Sequence, residues 1–313
     1  MRTAKHFLAL CATGRIANIP SVLCNLWLGI ALAATASDRL TNGLIWGRIG
    51  VIGLAGVSLY LAGNFLNDWA DRHWDARHRP ERALPRALFA PGVYLLVALA
   101  CGALGLGLAA ALNGQCLTVA LLIGGGVILY TWVHKRAAWA VIPMGLCRAL
   151  LPVLGWAATT PPIGGWAPPA LAACGLGLFC YIAGLSLGAR HEAVDAPTSG
   201  LGGLPRVLVF GAAVLVFFAA YRLLSLPLAF CVLGLFPCGL WVGLSLAMFR
   251  TSLGRGVGHL LAGIPLLDWV VLLPLALVQG GHGWERPLPV MCLLVPPTAW
   301  LGGRFLQKLV SAT

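Results

Sequence analysis

Three of the nine acidic residues in this 313-residue chain fall within eight positions, at Asp68, Asp71 and Asp75. Their spacing of i, i+3 and i+7 puts them on one face of a helix, and Asn64 and Asn67 extend that face backwards. Arg72, Arg77, Arg79, Arg82 and Arg86 follow at once, in a stretch that includes Arg79-Pro80-Glu81-Arg82-Ala83-Leu84-Pro85. Carboxylates can hold a divalent cation and guanidiniums can hold phosphate oxygens, so the pattern suits a metal-bound diphosphate. A solvated helix end is the bland alternative. Against it, the asparagines already stand in apolar context, where polar groups are costly. The acids also approach a helix C-terminus, where the macrodipole disfavours negative charge unless a cation compensates.

The elements that must position this face are membrane helices. The chain is 59% hydrophobic and 10% charged, with a mean hydropathy of +0.89, which excludes an ordinary soluble domain. Apolar stretches near 16–36, 46–66, 90–112, 116–133, 138–158, 168–188, 206–224, 226–248, 259–279 and 288–306 are each about long enough to span a bilayer. They predict an all-α, polytopic bundle of nine to ten transmembrane helices in a single domain over 1–313. The count is nine if Pro296-Pro297 makes the last segment interfacial. With the N-terminus inside, sixteen basic residues lie on inside segments and only Arg39, Arg48, Arg222 and Arg286 outside, which orients the chain by the positive-inside rule. The net charge of +12 is therefore topological, and dispersed basic loops argue against nucleic acid as a partner. The ten cysteines show no CxxC or metal spacing and read as packing residues. The basic N-terminus reads as the lead-in to the first helix, with no cleavage pattern.

The two longest polar stretches, 67–89 and 188–206, both fall on the inside face, as do Lys135 and Arg136. The second contains Arg190, Glu192 and Asp195, of which Glu192 and Asp195 could add metal ligands. Asn18 and Asn25 are two turns apart on the first helix, and Asn18 faces the site. Arg148 and Asp268 lie within apolar helices, where they serve as interhelical hydrogen-bonding groups or pair with each other.

Together these residues resemble the UbiA superfamily of intramembrane prenyltransferases over nearly the whole chain. Asn67, Asp68, Asp71 and Asp75 match its Asn-Asp-x-x-Asp-x-x-x-Asp motif, and Arg79 to Pro85 match its Arg-Pro-x-Arg-x-Leu-Pro stretch. Leu129-Tyr130-Thr131 through Lys135-Arg136, then Gly145 and Arg148, look like its fourth and fifth helices, and Arg15 to Asn18 its first. The resemblance implies Mg²⁺ held by Asn67, Asp68, Asp71, Asp75 and Glu192. It implies a prenyl diphosphate bound by Asn18, Asn64, Asn67, Arg72, Arg79, Arg82, Tyr130 and Lys135, with the prenyl tail in a lipid-facing groove. Asp68, Asp71, Asp75, Arg190 and Glu192 form the expected catalytic set, and Trp69, Trp74 and Tyr130 could shield an allylic cation. The expected partners are a lipophilic or aromatic acceptor and membrane lipid, at the cytoplasmic face of a bacterial inner membrane. The family's second aspartate motif is altered: its positions fall on Arg190, Glu192 and Val194, so only the glutamate remains, and Asp195 is one residue late. This form is similar to a divergent bacterial, EboC-like branch, and Arg190 would there replace a missing metal as the fixed cation.

Three rivals fit less well. A CDP-alcohol phosphotransferase is superficially matched by Asp75-Ala76-Arg77, but its Asp-Gly and later paired aspartates are missing. A cation-coupled transporter needs acids at the bilayer midplane on broken helices, where only Asp268 qualifies. A non-catalytic lipid-binding relative is kept open by the altered second motif.

Overall fold

The computed structural model describes residues 2–35, 43–134, 138–160, 168–189, 203–249 and 251–310. Among them the chain forms twelve α-helices: α1 (Arg2–Thr13), α2 (Ile19–Thr35), α3 (Gly43–His78), α4 (Pro91–Leu112), α5 (Gly114–Val133), α6 (Val141–Thr159), α7 (Pro169–Ala189), α8 (Gly203–Phe218), α9 (Leu228–Met248), α10 (Leu253–Ala262), α11 (Ile264–Gly280) and α12 (Pro287–Leu309). Nine stretches of the described residues are long and apolar enough to cross a membrane, with α10 and α11 counting as one. The chain is thus an all-α, multi-pass membrane protein. α12 runs unbroken through Pro296 and Pro297 but is not among the nine.

Three departures from the sequence expectation matter for the site. The N-terminal lead-in is a separate helix, α1. It is divided from α2 by a turn in which Arg15 takes a left-handed conformation (φ 44°, ψ 48°) and Ile16–Asn18 form one 3₁₀ turn. α3 does not stop near residue 66 but continues for 36 residues to His78. It ends where Pro80 disfavours helical geometry in the residue before it. The expected helix 259–279 begins earlier and is divided at Gly263, with Pro265 in the first turn of α11.

α2 and α11 are buried almost all round, whereas α4, α5 and α9 present Leu96, Leu99, Leu121, Leu122, Leu233 and Phe236 outward. A helix apolar on its exposed side suits a lipid surrounding. α2 packs on α6 so closely that a Cβ at Gly29 would fall on the carbonyl of Pro152, and one at Gly155 on the carbonyl of Leu26. Small residues permit that backbone contact. All ten cysteines are free thiols.

Arg148 and Asp268 do not pair directly, because one turn of α2 lies between them. Arg148 Nη2 donates to Ser21 Oγ, Ser21 Oγ donates to the Asn18 carbonyl at 2.7 Å, and Asn25 Nδ2 donates to Asp268 Oδ2 at 2.6 Å. Ser21 and Asn25, at i and i+4, tie α2 to α6 on one flank and to α11 on the other.

Candidate active site

The inside end of α3 carries Asn64, Asn67, Asp68, Asp71 and Asp75, all buried, while His73, Ala76 and Arg77 on the opposite side are exposed. Four protein contacts neutralise these carboxylates. Arg82 Nη1 lies 3.3 Å from Asp68 Oδ1 and 2.9 Å from Asp75 Oδ2, so one nitrogen bridges two acids. Arg15 Nη2 stands 3.8 Å from Asp68 Oδ1, and His134 Nε2 stands 2.9 Å from Asp71 Oδ2. Partners of this kind are what a carboxylate buried at a helix C-terminus requires.

Each partner is positioned by a distinct local device. Arg82 belongs to the segment between α3 and α4, folded by consecutive turns: Arg82 N to Arg79 O at 3.1 Å, Arg86 N to Arg82 O at 3.1 Å, and Leu88 N to Ala83 O at 3.1 Å. Leu84 and Phe89 of that segment pack on a small cluster of Phe65, Tyr94 and Ala98. Thr13 and Tyr94 join hydroxyls at 2.7 Å, adding α1 to the same cluster. Arg15 is aimed by its left-handed turn. Its Nη1 donates to Asn64 Oδ1 at 3.0 Å, Asn64 Nδ2 donates to the Gly14 carbonyl at 3.1 Å, and Tyr60 Oη donates to the Arg15 carbonyl at 3.2 Å. Burial lowers the Arg15 pKa, but Asp68, with Tyr60, Tyr130 and Asp71 behind it, raises it further, so the net direction is upward and the guanidinium stays charged. His134 closes α5. Its Nδ1 meets the carbonyls of Tyr130 and Thr131 at 3.2 Å and 3.1 Å, and its ring stacks on Tyr130 with centroids 4.9 Å apart.

Of the residues expected from the sequence, Asn67, Asp68, Asp71, Asp75 and Arg82 come together, with Tyr130 joined through His134. Asn18 lies on the 3₁₀ turn beside Arg15. Asn64 spends its amide on holding Arg15 and Gly14. Arg72 turns away: its Nη1 donates to the Trp69 carbonyl at 2.7 Å, and its guanidinium lies 4.7 Å from the centre of the Trp69 ring. That leaves one face of Trp69 covered. Trp74 stacks on His78 at 4.2 Å, and Arg79 forms no ion pair among the described residues. Lys135, Arg190, Glu192 and Asp195 lie outside the described residues.

Arg15 and His134 were not singled out in the sequence. Arg15 precedes Asn18 by one turn and His134 directly precedes Lys135, so both adjoin positions that were. Adjacency was the available signal.

Asn67, Asp68, Asp71 and Asp75 offer oxygen donors, the ligand type of a hard divalent cation. Asp75 Oδ1 and Asn67 Oδ1 are buried with no hydrogen-bond partner, so the donor set has capacity to spare. Among the described residues no three His, Cys, Asp or Glu side chains converge as a ready metal cluster, since Arg82 and His134 stand against the carboxylates. The residues fit such an ion in type, and seating it requires Arg82 to change partner.

The sequence pattern of the UbiA prenyltransferase family matches residues 21–255. The chain belongs to the UbiA prenyltransferase family. A digeranylgeranylglyceryl phosphate synthase from Methanopyrus kandleri is 38% identical over 73 residues, spanning 23% of this chain and 27% of that enzyme. The chain therefore aligns with little more than a quarter of that relative. The solved apo structure of a UbiA homologue from Aeropyrum pernix K1 superposes with a TM-score of 0.63 at 16% identity, over 82% of this chain and 96% of the homologue. A second solved structure, from work on digeranylgeranylglyceryl phosphate synthase in membranes, gives 0.55 at 18% identity, over 87% of this chain and 98% of that one. At such identities the superpositions establish the UbiA fold.

Proposed function

We propose that this UbiA-family chain transfers a prenyl group from a prenyl diphosphate to an electron-rich, lipophilic or aromatic acceptor. The observation that carries the reading is the set of buried carboxylates at the end of α3, faced by Arg82, Arg15 and His134. In this reading Asn67, Asp68, Asp71 and Asp75 would hold Mg²⁺, with Glu192 as the contribution of the second polar segment. When bound, that ion supplies charge stabilisation to the diphosphate as it leaves.

The chain's own residues do the rest. Arg82 and Arg15, with Arg79 and the sequence candidates Lys135 and Arg190, neutralise the diphosphate as its oxygen takes the electron pair of the breaking C1–O bond. The allylic cation left behind is attacked by an electron pair of the acceptor, which then loses a proton. The apolar helix walls exclude water that would otherwise quench the cation, and Tyr130 can present a ring face towards it. The positive-inside distribution supports a cytoplasmic position for this face, and the reading extends to a bacterial inner membrane.

The experiment is release of diphosphate by the purified chain in nanodiscs. It is offered geranyl, farnesyl and geranylgeranyl diphosphate, with and without Mg²⁺, beside an Asp71→Asn/Asp75→Asn variant. Mg²⁺-dependent release that the variant lacks is the expected result. Binding without release in the presence of a panel of phenolic and glycerol phosphate acceptors would indicate a lipid-binding relative, and absence of binding would overturn the reading.

A further inference from the structure

Every carboxylate of the α3 cluster already faces an arginine or a histidine of the protein. The central one is Arg82, whose single Nη1 bridges Asp68 and Asp75 at 3.3 Å and 2.9 Å. That position, between two acids one and a half to two turns apart on one helix face, is where a bridging divalent ion would have to sit. Asp75 is 2% exposed, and its Oδ1 has no hydrogen-bond partner, so the acid is only half used by the arginine. The backbone of the Arg82 segment is fixed by its turns and by the Phe65–Tyr94 cluster. The freedom left to Arg82 lies in its side chain.

Building on the prenyl diphosphate reading, we propose that the site accepts its divalent cation and its diphosphate only as a pair, because Arg82 exchanges the carboxylates for phosphate oxygens when both arrive. A cation arriving alone would displace Arg82 and strand a part-buried guanidinium, which is costly. A diphosphate arriving alone would set its charge beside three carboxylates, two of which, Asp68 and Asp75, hold Arg82 in competition. When both arrive, the cation takes Asp68 and Asp75 while the guanidinium takes the phosphate, in the bidentate geometry it favours. Each ligand then strengthens the binding of the other by one shared factor, as linkage requires. The substrate class is a cation–prenyl diphosphate complex, and Arg82 makes the site discriminate against either component.

The test uses the full chain in nanodiscs, with Mn²⁺ binding followed by electron paramagnetic resonance and geranyl S-thiolodiphosphate as an unreactive diphosphate. Wild type is expected to bind Mn²⁺ alone weakly, and at least about tenfold more tightly once the thiolodiphosphate is present. Arg82→Gln is expected to bind Mn²⁺ alone about tenfold more tightly than wild type, since a competing charge within contact distance is gone. The same variant binds the thiolodiphosphate more weakly, and Arg82→Lys, which keeps the charge without the fork, still resists Mn²⁺ alone but regains only part of the thiolodiphosphate affinity. Arg82→Gln with unchanged or weaker affinity for Mn²⁺ alone would overturn the exchange while leaving prenyl diphosphate binding intact. Wild type that binds neither ligand, singly or together, would overturn the underlying reading instead. Should Arg82→Gln fail to fold, Arg15→Gln makes the same comparison at Asp68, with a tightening of about threefold expected from its longer contact and none overturning the proposal.

Discussion

At the end of α3, three carboxylates meet two arginines and a histidine within 3.8 Å. In the middle of the bundle, Arg148 and Asp268 are held apart and each bonds a neutral side chain of α2. Both regions bury charge, but they do so to different ends. The first arrangement consists of direct contacts that an incoming ion can replace, and one acid oxygen is left over to receive it. The second is a strut: Arg148 and Asp268 fasten α2 from opposite flanks, and through Ser21 the arginine fixes the Asn18 carbonyl behind the turn that aims Arg15. Charge that is to be exchanged is given charged partners. Charge that is to hold helices in place is given neutral ones.

Substitutions can break this contrast. The largest effect is expected from Asp71→Asn/Asp75→Asn, which should lower diphosphate release on the order of 10³-fold. Its thermal midpoint should stay close to wild type, because Arg82 retains Asp68; a collapse of the midpoint would mean that the site acids also serve as a strut. Arg148→Met should do the reverse, costing about 1.5–3 kcal/mol of stability by removing the charged hydrogen bond to Ser21 that ties α6 to α2. Chemical unfolding in mixed micelles reads that loss, and the Arg148→Met/Asp268→Leu double variant should lose more than Arg148→Met alone, because the two side chains bond α2 separately. A double variant no less stable than Arg148→Met would show that the two charges act as a coupled pair.

A finer distinction lies within the site itself. His134→Gln keeps a donor for Asp71 but removes the imidazole, and is expected to raise the KM for prenyl diphosphate about tenfold with kcat lowered less. Arg72→Ala is expected to change both by less than about threefold, because its guanidinium is committed to Trp69 and surface cation–π contacts are worth little. A large loss in Arg72→Ala would show that this arginine leaves Trp69 during turnover.

The α3 face was legible in the sequence because helical spacing alone brings Asn64, Asn67, Asp68, Asp71 and Asp75 to one side, and the oily composition elsewhere left few other places for chemistry. The choice of Arg82 over Arg72 and Arg79 was not legible. It depends on a run of turns between α3 and α4, whose geometry is set by packing on Phe65 and Tyr94 of the two flanking helices. Arg15 was hidden for a related reason: a non-glycine residue at φ 44° carries no local signature, and only Asn64 and Tyr60 of α3 make that backbone worthwhile. Of the two readings left open for Arg148 and Asp268, interhelical hydrogen bonding holds and direct pairing does not, because α2 passes between the two helices, which only the tertiary arrangement decides.

The 36 residues of α3 amount to about 54 Å of helix, against a hydrocarbon layer of about 30 Å. The helix therefore carries its carboxylates out to the level of the lipid phosphates while its apolar stretch remains among the acyl chains. A prenyl diphosphate dissolved in the bilayer already has this layout, with its charged end at the surface and its tail below. On the proposed function, the protein would meet such a molecule in the orientation in which it floats, and capture would be a sideways glide within one leaflet, with neither end having to exchange oil for water.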